Sequence, residues 1–99
     1  MKNQDFEVLK SKVKIYYEAL LEDPYEEVFN ALDVRVYSNL DKEFLGARVA
    51  VSLGGPNIYL DTLSGTMEGY WGKDEYGFEA DDSLVMQVND ILEYEWNKK

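Results

Sequence analysis

The sequence predicts an α+β fold: a single domain with an antiparallel sheet of four to five strands, an N-terminal helical pair and a C-terminal helix. Three observations carry this. Apolar residues recur at helical spacing at both ends of the chain, they alternate with period two in between, and the turns there are too short for crossover connections. The 99 residues, 1–99, make one domain with one core.

Phe6, Leu9, Val13, Tyr16 or Tyr17, and Leu20 mark an amphipathic helix over residues 4–22, with Asn3 as its cap and Asp5 and Glu7 in its first turn. Pro24 prevents its continuation. Asp23-Pro24-Tyr25-Glu26 reads as a capping box with Pro at the first helical position. It predicts a short helix over 24–31 with Tyr25, Val28, Phe29 and Leu32 on one side.

From Leu32 the period changes. Leu32, Val34 and Val36 alternate with Asp33, Arg35 and Tyr37, a half-buried strand, and Asn39 to Lys42 form a polar turn. Leu45, Ala47, Val49, Val51 and Leu53 oppose Phe44, Gly46, Arg48, Ala50 and Ser52 in the expected central strand. Turns at Gly54–Asn57, Leu63–Gly65 and Gly72–Asp74 separate strands over 58–62, 66–71 and 75–80. The strand over 66–71 places Met67, Gly69 and Trp71 opposite Glu68 and Tyr70. Asp81 or Asp82 caps a final helix over 82–97, whose buried stripe is Leu84, Val85, Val88, Ile91, Leu92 and Trp96, with Lys98 and Lys99 just beyond its end. The core is expected to depend on Val49, Val51, Leu53, Trp71, Val88 and Ile91.

The chain has no Cys and no His. That removes thiol nucleophiles, Cys- and His-based metal sites, and triads with a His base. The missing Cys favours a reducing, cytoplasmic setting. No apolar run approaches the roughly 20 residues of a membrane helix, and the start MKNQDFEV lacks the apolar core of a secretory signal, so no membrane partner is expected.

Charge is the unusual property. Net charge is −10, and from Asp61 to Glu95 ten acids face the single base Lys73. Lys10, Lys12 and Lys14 instead cluster on the first helix. This balance disfavours direct binding to nucleic acid or anionic lipid and suits either a solvated surface or a basic partner.

The one glycine-rich loop, Leu53-Gly54-Gly55-Pro56-Asn57, leads into a strand, and Pro56 lacks a donor, so it reads as a turn and not as a phosphate cradle. Asp61, Glu68, Asp74, Glu75 and Glu79 offer oxygen ligands, but their spacing does not match an EF-hand loop. No cofactor or metal is expected, and no catalytic motif is present. Among the aromatics, Trp71 reads as core filling. Tyr59, Tyr70 or Tyr76 on the polar face would make a binding surface among acids.

Outward carboxylates at helical spacing, ~5–6 Å apart, approximate the spacing of a nucleic-acid backbone, with its charge every ~3.4 Å along each strand. The candidate partner-binding residues are therefore Asp74, Glu75, Glu79, Asp90 and Glu93, with Tyr70 and Tyr76.

The stretch Ala50-Val51-Ser52-Leu53-Gly54-Gly55-Pro56-Asn57-Ile58-Tyr59-Leu60-Asp61-Thr62, followed by Gly69-Tyr70-Trp71-Gly72 and an acidic terminal helix, resembles small acidic proteins encoded on phages and mobile elements of Gram-positive bacteria. Anti-restriction and anti-CRISPR inhibitors, several of them DNA mimics, belong to that setting. The resemblance spans half the chain, rests on structural motifs, and transfers no functional residue. It implies a non-enzymatic inhibitor docked on a basic protein, such as a nucleic-acid-binding enzyme. The second reading is a small acidic interaction domain, a homodimer joined through a sheet edge or the last helix.

Overall fold

The computed structural model describes residues 2–98. Its elements run α1 (Lys2–Glu22), α2 (Pro24–Phe29), β1 (Asp33–Ser38), β2 (Phe44–Ser52), β3 (Asn57–Asp61), β4 (Thr66–Trp71), β5 (Asp74–Glu79) and α3 (Asp82–Asn97). Asn3 falls inside α1, and its side chain lies outside the described residues, as does Lys99.

Local chemistry explains the helix boundaries. The Glu26 N–H donates to Asp23 Oδ1 at 3.1 Å, while the Asp23 N–H donates to Ala19 O, so only one half of the capping box forms. Asp81 caps α3 by accepting from the Ser83 N–H at 2.8 Å, and the Tyr17 hydroxyl accepts from the Asp81 N–H, tying the end of α1's buried side to the start of α3.

The five strands form an antiparallel meander in the order β1-β2-β3-β4-β5. All three helices pack on one face. There Ala47, Val49, Ile58, Leu60 and Met67 meet Leu9, Val13, Leu20, Val28, Leu84, Val88 and Leu92 in a single core. α1 lies over β4 and β5, and α3 over β2. Gly69 makes the first contact possible: a Cβ there would run into Val13 Cγ2 and come within 3.1 Å of Leu9 Cδ1. The second is fixed by polar groups, since Thr62 Oγ1 donates to Asn89 Oδ1 at 2.6 Å and accepts from the Ala47 N–H at 2.8 Å.

Several expected core positions are corrected. Leu53 is 45 % exposed because the β2–β3 register shifts between Ala50 and Ser52, and the extra residue reverses the alternation beyond it. A second shift, opposite Tyr37 and Ser38, leaves Leu45 outside the ladder and exposed. Trp71 sits at the hairpin end of β4, 37 % exposed, with its indole beside Gly55 and not in the core. In α2 only Val28 is buried. Tyr25 and Phe29 stack on each other at the surface, ring centroids 4.6 Å apart, and Leu32 is exposed. Val51 and Ile91 are half-buried against the core, and Val49 and Val88 are fully buried.

Candidate functional site

Among the described residues, no helix packs on the other face of the sheet. By register its residues are Asp33, Arg35 and Tyr37 on β1, Arg48 and Ala50 on β2, Tyr59 and Asp61 on β3, Thr66, Glu68 and Tyr70 on β4, and Glu75, Gly77 and Glu79 on β5. Each strand contributes alternate residues, so side chains far apart in sequence become neighbours across the ladder.

Arg48 is the hub. Its Nη1 lies 3.1 Å from Asp61 Oδ2 and its Nη2 lies 2.9 Å from Glu68 Oε1, while the guanidinium stacks over the Tyr59 ring 4.1 Å from the centroid. Two tyrosines complete the arrangement. The Tyr37 hydroxyl donates to Asp61 Oδ2 at 2.7 Å and the Tyr70 hydroxyl to Glu68 Oε1 at 2.8 Å. Asp61 Oδ1 accepts from the Leu63 and Ser64 N–H groups, and Glu68 Oε2 accepts from Thr66 Oγ1.

This bonding sets the ionisation states. Burial pushes the Asp61 carboxyl up, but hydrogen bonds from Tyr37, the Ser64 N–H, Arg48 and the Leu63 N–H outweigh it and hold the pKa below the ordinary 3.8. Glu68 behaves alike: burial raises it, and Thr66, Tyr70 and Arg48 bring it below 4.5. Tyr37 is raised above 10.0, first by its hydrogen bond to Asp61, and Tyr70 first by its bond to Glu68. Burial alone would lower Arg48, yet its two carboxylate partners raise it above its ordinary value. Both carboxylates are thus anions already committed to donors. The position between the two carboxylates is filled by the Arg48 guanidinium.

Two hollows flank the hub. One, about 310 Å³, is lined by Asp33, Arg35, Arg48, Ala50, Leu53 and Tyr59. The other, a notch of about 150 Å³, is lined by Glu68, Tyr70, Glu75, Tyr76 and Gly77.

The seven residues singled out in the sequence do not form one ridge. Tyr70, Glu75 and Glu79 share the uncovered face at the β4–β5 end, and Asp74 pairs with Trp71 at the adjoining hairpin. Tyr76 belongs to the helix-covered side, where its ring meets Phe6 at 5.9 Å and Phe78 at 5.9 Å, with Lys10 Nζ 5.8 Å from its centroid. Lys12 and Lys14 are exposed on α1. Asp90 and Glu93 lie on α3, in the helical layer, where Asp90 borders a hollow with Glu22, Asp23 and Tyr25. Strand pairing puts β5 and α3 on different layers, and linear proximity does not reveal that.

Sequence reasoning missed Arg48, Tyr37 and the joint role of Asp61 and Glu68. The available signal was a lone guanidinium on the polar side of the most apolar strand, since such a charge requires partners at the facing positions of its neighbours.

No family model matches the chain, and no curated protein or solved structure matches it. Among the described residues, no helix is long and apolar enough to cross a membrane.

Proposed function

We propose that this chain is a non-enzymatic acidic binding protein that inhibits a basic, nucleic-acid-binding partner by occupying its groove. The β4–β5 end of the uncovered sheet face is the docking surface. The observation that carries this reading is the juxtaposition of a fixed aromatic–polar hub with acids that nothing compensates. Tyr70 and Tyr59 are held by Glu68 and Arg48, and next to them Asp74, Glu75 and Glu79 have no ion-pair partner among the described residues. Pre-positioned rings supply contact area at low entropic cost, and unpaired carboxylates steer a basic surface toward them. The ionised, donor-saturated state of Asp61 and Glu68 supports binding over proton-transfer chemistry.

The test is a binding-rate measurement against a panel of purified basic DNA-binding proteins, with duplex DNA as competitor. The expected partner is displaced by DNA, and the pair Glu75→Lys with Glu79→Lys slows association and flattens its salt dependence, while Tyr70→Ala mainly speeds dissociation. The pair Asp90→Lys with Glu93→Lys, on the other layer, leaves association at that surface nearly unchanged. Binding that neither DNA competition nor the Glu75/Glu79 reversal affects would overturn the reading.

A further inference from the structure

The opposite edge of the sheet has a different chemistry. β1 pairs only with β2, and its outer side makes no backbone hydrogen bond with any described residue. An open edge is a template for another strand, which proteins blunt with charged side chains, Pro, bulges or a covering element; here the register shift lies at the Tyr37–Ser38 end and the two charges, Asp33 and Arg35, pair with each other. β1, Asp33-Val34-Arg35-Val36-Tyr37-Ser38, has neither Lys nor Pro. On the helix side it borders a groove of about 500 Å³ whose walls are Val28, Phe29, Ala31, Val34, Val36, Leu92 and Trp96, with Glu95 as its one charged residue. Phe29 is 48 % exposed, and Leu32, just before the strand, is 61 % exposed.

Charge decides the occupant. Residues 31–60 hold three acids, Asp33, Asp41 and Glu43, against three bases, Arg35, Lys42 and Arg48, and are neutral. The rest of the chain carries the entire −10. Two copies meeting through the acidic β4–β5 end or through α3 set like charges against each other, and along β1 they do not.

We propose that the protein forms a homodimer through β1, with two strands pairing antiparallel about a two-fold axis at Val34. A continuous sheet keeps opposed residues on the same face, so only alternate registers are allowed. With the axis at Val34, Asp33 faces Arg35 of the partner subunit, and the same pair recurs by symmetry. Exposed Leu32 faces Val36 of the partner subunit and closes the apolar groove from both sides. An axis at Arg35 sets guanidinium against guanidinium, and an axis at Val36 loses both ion pairs. Asp33 and Arg35 now bridge within the strand at 3.0 Å with side chains 47 % and 79 % exposed, so both are free to re-pair across the axis. The dimer is independent of the docking surface at β4–β5, which lies at the far edge.

Sedimentation equilibrium over a concentration series reads the outcome, with circular dichroism confirming that each variant folds. The expected species has twice the 11.5 kDa chain mass. Arg35→Asp and Asp33→Arg each weaken association by about tenfold or more, since each sets like charges opposite twice over. The second does so although it lowers the net negative charge, and the double exchange Asp33→Arg with Arg35→Asp restores dimerisation. Because the chain lacks Cys, Val34→Cys cross-links cleanly on oxidation and Val36→Cys does not. A monomer at every concentration overturns the proposal. So does a dimer that Asp33→Arg strengthens, or one in which Val34→Cys fails to cross-link.

Discussion

The two faces of the sheet are built from the same strands and follow opposite rules. The helix-covered face is aliphatic, and its side chains find partners by shape. Ile58, Leu60 and Met67 are fully buried there against Leu9, Val13 and Val88. The uncovered face is polar and aromatic, and its side chains find partners by charge and hydrogen bonding around Arg48. The difference teaches that this small domain concentrates its stability on one side, which leaves the other side free to present fixed functional groups. Non-directional burial tolerates any arrangement that fills space, whereas the hub needs each donor opposite its acceptor.

The largest expected effect lies on the covered face. Leu60→Ala removes a fully buried side chain at the centre of the core and should cost about 2–5 kcal/mol, read by urea or thermal unfolding. A loss below 1 kcal/mol would mean that the faces contribute alike and that the comparison fails.

Breaking the hub should cost less. Arg48→Met keeps the aliphatic stem over Tyr59 but strands two partly buried carboxylates, an expected loss of about 1–3 kcal/mol. The pH profile separates this from a packing defect. Asp61 and Glu68 have folded pKa values below their ordinary 3.8 and 4.5, so their contribution is present above those values and is lost as pH falls through and below them. Tyr37 and Tyr70 are raised above 10.0, so their contribution is present below that value and lost as pH climbs past it. Wild-type stability should therefore fall at both extremes. In Arg48→Met the acid limb, as pH falls below the ordinary carboxylate values, should be shallower, because Asp61 and Glu68 are less depressed. An unchanged slope would show that Arg48 does not govern their ionisation.

The smallest effect belongs to the rim. Glu75→Lys with Glu79→Lys touches exposed side chains without ion-pair partners among the described residues, and should shift stability by no more than about 0.5 kcal/mol in either direction. A larger loss would assign these acids to the fold and not to a docking surface, and the same unfolding measurements used for Leu60→Ala detect it.

What the sequence determined by itself was local. The span of α3, 82–97, and of β4, 66–71, together with the Asp23 cap, followed from residue spacing and from side chains that bond two or three positions away, while the structure chose Asp81 over Asp82 as the cap of α3. The buried stripe Leu9, Val13 and Leu20 followed from the helical period for the same reason. The meander order followed from turns too short for anything but hairpins. What only the tertiary structure decided was which strand positions face which. One extra residue between Ala50 and Ser52 turned Leu53 outward, and Trp71, at the hairpin end of β4, lies partly exposed beside Gly55. The hub gathers Tyr37, Arg48, Tyr59, Asp61, Glu68 and Tyr70 from four strands. No periodicity relates these residues, because cross-strand register depends on where each ladder shifts, and it brings together charges that are distant along the chain.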